Sequence, residues 1–187
     1  MHNKFLLWHG CRPTSLAAAF RDGLKLPSKE SSDTGLMFGK GIYLTDCFSK
    51  AASQCVPIGA DKETMQGVVF LAEAALGDMH KAYQPESFKR GATPFSAHSV
   101  YGVGQQKPSV NGLKDIKSNL ENFDLDQKTI DDNQALFLNT GRLKENPDLE
   151  DKPVGMNVPD LRFNDFVVFD PAQVRLRYAL LVDIMAM

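Results

Sequence analysis

Leu6-Leu7-Trp8-His9-Gly10-Cys11-Arg12 and, further on, Phe38-Gly39-Lys40-Gly41-Ile42-Tyr43 are the stretches whose reading decides the fold. Each joins a short apolar run of strand type to a polar or aromatic residue placed to face a ligand. Side chains on a strand alternate between faces, so His9 and Cys11 share one side. By the same alternation Ile42 and Leu44 point one way and Tyr43 the other, toward a cleft. A third stretch lies near the C-terminus: Phe163-Asn164-Asp165-Phe166-Val167-Val168-Phe169-Asp170-Pro171-Ala172-Gln173-Val174.

Working outward, residues 4–12 read as a strand, and Pro13-Thr14-Ser15 opens a helix that Gly23 stops. Pro27 to Gly35 has no periodicity and reads as a loop. A strand at 41–45 and a short helix around Ser49–Gln54 follow, then a central apolar strand over Gly67–Leu76. Residues 80–97 read as loop, ending in a strand at Ser99–Val103. Residues 163–169 and 173–184 read as a closing pair of strands joined at Asp170-Pro171-Ala172, where a proline without an amide donor fits. From 105 to 150 the chain is polar and weakly patterned, with short helices expected at Asp115–Leu120 and Thr129–Leu138. A structureless loop of that length is uncommon, so the segment reads as an insertion with order of its own. Many short strands and few helices, without βαβ alternation, give an α+β class.

At 187 residues the chain reads as one domain, 1–187, carrying that insertion at about 105–150. An apolar fraction of 43% suits a globule with a full core. The net charge of -2, from 21 basic and 23 acidic side chains, gives no electrostatic case for nucleic acid as the main partner. No apolar run approaches the roughly 18 residues of a membrane span, and Met1-His2-Asn3-Lys4 leaves no room for a signal peptide. Three cysteines without a CxxC pair (Cys11, Cys47 and Cys55) fit a reducing, intracellular compartment, cytoplasmic or nuclear.

Several motif fragments fail on inspection. Gly35 to Gly41 is one residue short of a P-loop and lacks its Ser or Thr. Gly102-Val103-Gly104 precedes Pro108 where a dinucleotide fold needs a helix. Asp124 to Thr129 lacks the third oxygen ligand and the glycine of a calcium loop. His9 and Cys11 have no further ligand pair at metal-site spacing.

In order and spacing the three opening stretches resemble the catalytic domain of the poly(ADP-ribose) polymerases, the diphtheria-toxin-like ADP-ribosyltransferases. The resemblance implies the ADP-ribosyltransferase fold, two packed and mostly antiparallel sheets (a split β-sandwich) with few short helices. It also implies NAD as the ADP-ribose donor, with no metal. On this resemblance His9 bonds the adenosine ribose, and Gly10 grips the nicotinamide carboxamide through its backbone, which a missing Cβ permits. Tyr43 stacks on the nicotinamide, with Arg12 and Gly41 beside the same pocket and Lys50 near the acceptor end.

Five positions depart from the family pattern. Asp165 stands where polymerising members carry glutamate, which withdraws the carboxylate by roughly 1.5 Å, one carbon–carbon bond. Ala51 replaces a serine that bonds the carboxamide, and Gln54 a tyrosine that closes the ring's second face. Ser15 and Lys25 replace an asparagine and an arginine on the adenosine and diphosphate side. Lys25 keeps the charge but loses the two-pronged geometry.

The resemblance therefore implies a transferase that cleaves the nicotinamide–ribose bond and passes ADP-ribose to an acceptor, a protein or a nucleic-acid end. With Asp165 in place of glutamate, single units or short chains are expected. Two alternatives stay open: an NAD glycohydrolase, and a binding or interaction module with weak turnover. Only eight residues precede His9, so the helical segment that restricts NAD access in some polymerases is expected to be absent. No oligomeric state is implied.

Overall fold

Apolar side chains at the start of the chain build β1 (Lys4–Cys11), with Leu6, Leu7 and Cys11 buried. Pro13 occupies the first turn of α1 (Pro13–Asp22), where its missing N–H leaves no bond unmade. The Gly23 N–H returns to the Ala19 carbonyl at 2.9 Å and ends the helix. In this computed structural model the described residues are 1–28, 36–55, 65–86, 88, 96–115, 136–157 and 159–184. They continue through β2 (Ile42–Leu44), α2 (Phe48–Gln54), β3 (Met65–Ala75), β4 (Met79–Ala82) and β5 (Ser99–Gly102). Then come β6 (Gln106–Pro108), β7 (Leu113–Asp115), β8 (Leu136–Asn139), β9 (Leu143–Glu145), β10 (Asp165–Val168) and β11 (Val174–Ile184).

The strands form a five-stranded sheet of order β11-β3-β1-β8-β7 and a four-stranded sheet of order β2-β10-β5-β4. A two-stranded ribbon, β6-β9, stands beside them. Pairing is antiparallel except for β1 with β8 and β4 with β5. The two larger sheets share one core: Leu7, Ala72 and Ala74 of the first pack with Ile42, Leu44, Phe166 and Val168 of the second. Tyr101 stacks on Phe166 within it, rings 5.0 Å apart and nearly parallel. Burying each large apolar side chain there is worth about 1.5–3 kcal/mol. This is the α+β architecture that the sequence predicts.

One contact sews the sheets together. The Trp8 N–H donates to the Thr45 carbonyl at 2.8 Å, and the Thr45 N–H donates back to the Trp8 carbonyl at 2.9 Å. This isolated antiparallel bridge brings β1 alongside the end of β2, although the strands belong to different sheets.

Several expectations need correction. The segments at 163–169 and 173–184 are not a pair. β10 lies between β2 and β5 in the second sheet, whereas β11 pairs with β3 in the first. A 3₁₀ turn at Pro171–Gln173, capped by Asp170 accepting from the Ala172 N–H, carries the chain across. All of β10 is buried and needs partners on both edges, which a single hairpin neighbour cannot supply. Of the expected loop 80–97, residues 80–82 belong to β4, because β5 offers a parallel edge in register Met79↔Ser99. Of the two expected helices, Asp115 ends β7 and Leu136–Leu138 belong to β8; the rest of both lies outside the described residues.

Candidate functional site

The Trp8–Thr45 bridge decides the site, because it sets the residues that follow and precede it side by side. His9 Nδ1 lies 2.8 Å from the Tyr43 carbonyl oxygen. A carbonyl only accepts, so Nδ1 carries the hydrogen and Nε2 presents a lone pair. Burial lowers the imidazole pKa and outweighs the bond to Tyr43, leaving the ring neutral at neutral pH. The first and second quoted stretches thus meet directly.

Tyr43 is fixed at its far end. Its hydroxyl donates to the Gly39 carbonyl at 2.9 Å and accepts from the Phe38 N–H at 2.9 Å. Burial pushes the phenol up to about 12; the Phe38 bond opposes this and the nearby Asp165 charge adds to it. The ring is a rigid wall, not a proton donor. Gly41, two residues back, lies against β10: a Cβ there would come within 2.3 Å of Val167 Cγ1 and 2.9 Å of the Val168 carbonyl oxygen. Its lack of a side chain lets β2 sit close to the strand that carries Asp165.

Asp165 opens β10 and is 7% exposed. Lys50 of α2 reaches across to it, Nζ to Oδ1 at 2.6 Å, and also donates to the carbonyls of Phe163 at 3.1 Å and Asn164 at 3.2 Å. Burial raises the Asp165 pKa, while the Lys50 charge and hydrogen bond pull the other way. Helix α2 is held in turn by Gly10. A Cβ on Gly10 would stand 2.0 Å from the Ala51 carbonyl oxygen and 3.0 Å from Gln54 Cβ. That overlap explains why this position tolerates no side chain.

Hydrogen bonds join His9 to Tyr43 and Lys50 to Asp165, and the pairing of β2 with β10 and the close approach of Gly10 to α2 bring the two links into one circuit. Seven residues singled out in the sequence therefore stand together: His9, Gly10, Tyr43, Lys50, Ala51, Gln54 and Asp165. Ala51 is fully buried and packs inward with Cys55 and Val69, while Gln54 is exposed over Gly10. Arg12 and Ser15 are exposed in the first turn of α1. Lys25, beyond its end, pairs with Asp22 at 2.6 Å.

Residues 1–184 match the family "Poly(ADP-ribose) polymerase catalytic domain". The chain belongs to this family. It is 33% identical over 181 residues to poly(ADP-ribose) polymerase 2-A of Oryza sativa subsp. japonica, covering 97% of this chain and 23% of that protein. It is 33% identical over 180 residues to poly(ADP-ribose) polymerase 1 of Gallus gallus, covering 96% of this chain and 15% of that protein. A polymerase of Sarcophaga peregrina is 31% identical over 180 residues, 96% of this chain and 15% of its own length. The chain therefore spans less than a quarter of each of these relatives.

Sequence reasoning missed the polar group beneath the family motif. Asp46, Asn146 and Asn164 come together behind Asp165. Asn164 Nδ2 donates to Asp46 Oδ2 at 2.8 Å, and Asn146 Nδ2 donates to Asn164 Oδ1 at 3.0 Å. The other oxygen of Asp46 is buried without a hydrogen-bond partner among the described residues. Burial pushes that carboxyl up to about 6, against the pull of Asn164, Lys107 and Lys50. Asp46 stands between two cavities, of about 270 Å³ beside Tyr101 and Lys107 and about 350 Å³ beside Trp8 and Phe48. The available signal was polar residues set inside apolar runs, Asp46 after Ile42-Tyr43-Leu44 and Asn164 before Phe166-Val167-Val168.

Proposed function

We propose that the chain is an NAD-dependent ADP-ribosyltransferase that transfers single ADP-ribose units, or short chains, to an acceptor. The observation that carries this reading is the 2.6 Å Lys50–Asp165 pair inside the His9–Tyr43 circuit. A carboxylate already one methylene short is drawn toward an ammonium that two backbone carbonyls also hold in place. It keeps negative charge near the donor ribose but has little reach toward an incoming hydroxyl.

In the reaction, the bond between C1′ of the ribose and the nicotinamide nitrogen breaks, and nicotinamide leaves neutral with the bonding pair. Positive charge develops on the sugar, and catalysis consists of stabilising it and holding the reacting groups in line. Tyr43 provides a fixed flat wall for the leaving ring, and Gly10 provides backbone groups beside it. His9, neutral with an accepting Nε2, suits a ribose hydroxyl that donates. Asp165 supplies the negative charge near the developing cation. The acceptor oxygen attacks the opposite face of C1′, inverting it, and gives up its proton to solvent. A group displaced by about 1 Å loses on the order of 10²-fold in rate, so elongation suffers most. The acceptor class that fits is a protein side chain, with a nucleic-acid end as the variant.

Incubation with labelled NAD, with products resolved by size, tests the reading. Labelled protein carrying single units or short chains is expected, and Asp165→Glu is expected to lengthen them. Long ladders from the natural chain would refute the limit on length. Free ADP-ribose without labelled protein would mark a glycohydrolase, and tight NAD binding without nicotinamide release a binding module.

A further inference from the structure

The residue immediately before Asp165 is buried and bonded at both ends of its side chain. Asn164 is 1% exposed. Its Oδ1 accepts from the Gly104 N–H at 2.9 Å and from Asn146 Nδ2 at 3.0 Å. Because a backbone N–H can only donate, the atom facing Gly104 must be oxygen, which fixes the amide's orientation. The NH₂ group then faces Asp46 Oδ2 at 2.8 Å. The backbone carbonyl of Asn164 accepts from Thr45 Oγ1 at 2.8 Å and from Lys50 Nζ at 3.2 Å, the ammonium that also holds Asp165.

Each of these partners comes from a different part of the chain. Asp46 and Thr45 follow β2, Lys50 is on α2, Gly104 follows β5, and Asn146 follows β9. Asn146 is itself 1% exposed, donating to the Gly104 carbonyl at 2.8 Å and accepting the Asp148 N–H at 3.1 Å. No rotation of the Asn164–Asp165 peptide leaves this set intact. A buried amide so bonded adopts one arrangement, since breaking any member strands a polar group away from water.

We propose that Asp46 is a positioning residue for the ADP-ribosyl transfer, setting the place of the Asp165 carboxylate through its hydrogen bond to Asn164. The inference rests on Asp165 acting at the donor ribose, as proposed above. The Asp46 carboxylate bonds the side chain of Asn164, and it acts by holding the residue whose carbonyl shares Lys50 with Asp165. Its nearest alternative role is that of an ordinary buried acid, which would affect folding without separating turnover from NAD affinity.

The test compares Asp46→Ala, Asp46→Asn and the swapped pair Asp46→Asn with Asn164→Asp, each as the full chain, by nicotinamide release over a range of NAD concentrations. Asp46→Ala is expected to lower kcat by about tenfold or more, with KM for NAD within about twofold, because orientation and not binding is lost. Asp46→Asn keeps an accepting oxygen for Asn164 Nδ2 and is expected to recover kcat to within about threefold. Asn164→Asp alone sets two carboxylates together and is expected to fail, whereas the swapped pair reverses donor and acceptor and is expected to regain turnover. If Asp46→Ala left kcat unchanged, raised KM alone, or matched Asp46→Asn, the proposal would be overturned. Should Asp46→Ala not fold, the swapped pair against Asn164→Asp decides alone, and lack of recovery refutes it. If the natural chain released no nicotinamide, the functional reading would fail first. A crystal structure of Asp46→Asn with Asn164→Asp beside Asn164→Asp would then still read the position directly. An Asp165 carboxylate unmoved from Lys50 in the single variant overturns the positioning claim.

Discussion

The two ends of the expected donor site are made differently. At the ring end, His9 bonds a backbone carbonyl, Tyr43 bonds one carbonyl and one N–H, and Lys50 bonds two carbonyls besides Asp165. At the proposed adenosine and diphosphate end, Arg12 and Ser15 are exposed at the start of α1, and Lys25, beyond its end, pairs with the side chain of Asp22. The ring end is held by the fold itself, through these bonds to the main chain. The other end consists of exposed side chains in and just beyond the ends of α1, where substitution leaves the backbone alone. The departures at Ser15 and Lys25 fall on exposed side chains, whereas those at Ala51, Gln54 and Asp165 fall where α2 and β10 pack around the ring end. That contrast predicts a steep gradient of mutational cost from one end to the other.

The steepest loss is expected at Gly10. An alanine Cβ would lie 2.0 Å from a main-chain oxygen of α2, which cannot swing aside as a side chain can. Overpacking of cores typically costs about 1–3 kcal/mol, and this contact with backbone should exceed that. Gly10→Ala is therefore expected to lower Tm by more than about 6 °C, whereas Ser15→Ala should leave Tm nearly unchanged. Equal losses by scanning calorimetry would erase the distinction between the two ends.

Lys50→Met comes next. It leaves Asp165 and two carbonyls without their ammonium in a site where both side chains are 13% and 10% exposed. Removing one partner of a buried pair costs about 3–5 kcal/mol, and the partial exposure here places the expectation at about 3 kcal/mol. The loss has a definite sign with pH. Burial already raises the Asp165 pKa, and without Lys50 it rises further, so the folded variant holds that proton more tightly than the unfolded chain. Its stability is expected to be highest in acid and to fall as pH climbs through that raised value. Denaturant curves at pH 5 and pH 8 read this directly, and a deficit independent of pH would mean that Asp165 is not the group left exposed.

Much of this contrast was legible in the sequence and part was not. Alternation alone placed Tyr43 opposite Ile42 and Leu44, and the burial of those two bears it out. The meeting of His9 with Tyr43 was not legible as physics, because it depends on a bridge between strands of different sheets. The partnership of β10 and β11 was misread for a related reason. Two apolar segments with Asp-Pro between them look like a hairpin, and only the need of a wholly buried strand for two neighbours reveals the crossing. Asp46 and Asn164 escaped notice because each looks like a polar residue at a strand end, and their value lies in a bond between positions far apart in the chain.

A smaller effect, still at the ring end, concerns Asp46. Its carboxyl is raised from 3.8 to about 6, so the folded protein holds this proton more tightly than the unfolded chain. Stability from this group is full below about pH 4 and is lost as pH rises through about 6. The shift corresponds to about 3 kcal/mol, reduced to about 2 kcal/mol for the side chain's partial exposure. Asp46→Asn is expected to flatten the stability profile between pH 4 and pH 7 relative to the natural chain. Parallel profiles would show that Asp46 is hydrated and ordinary.

The smallest effect belongs to the outer end and concerns a charge pair. Lys25 Nζ stands 2.6 Å from Asp22 Oδ2, and Asp22 also binds Arg21 through both carboxylate oxygens. The Arg21 hydrogen bonds, followed by that of Lys25, hold the Asp22 carboxyl down at about 2, so it stays ionised across the working range. If Lys25 serves the NAD diphosphate, Asp22 competes with that diphosphate for the same ammonium. Asp22→Asn should then lower KM for NAD by about twofold at low salt, with kcat unchanged, and the gain should vanish near 1 M salt, where screening acts over about 3 Å. Exposed pairs of this kind contribute little to folding, so Tm should stay the same. A KM indifferent to Asp22 at every salt concentration would take Lys25 out of the donor site and leave that end to Arg12 and the backbone of α1.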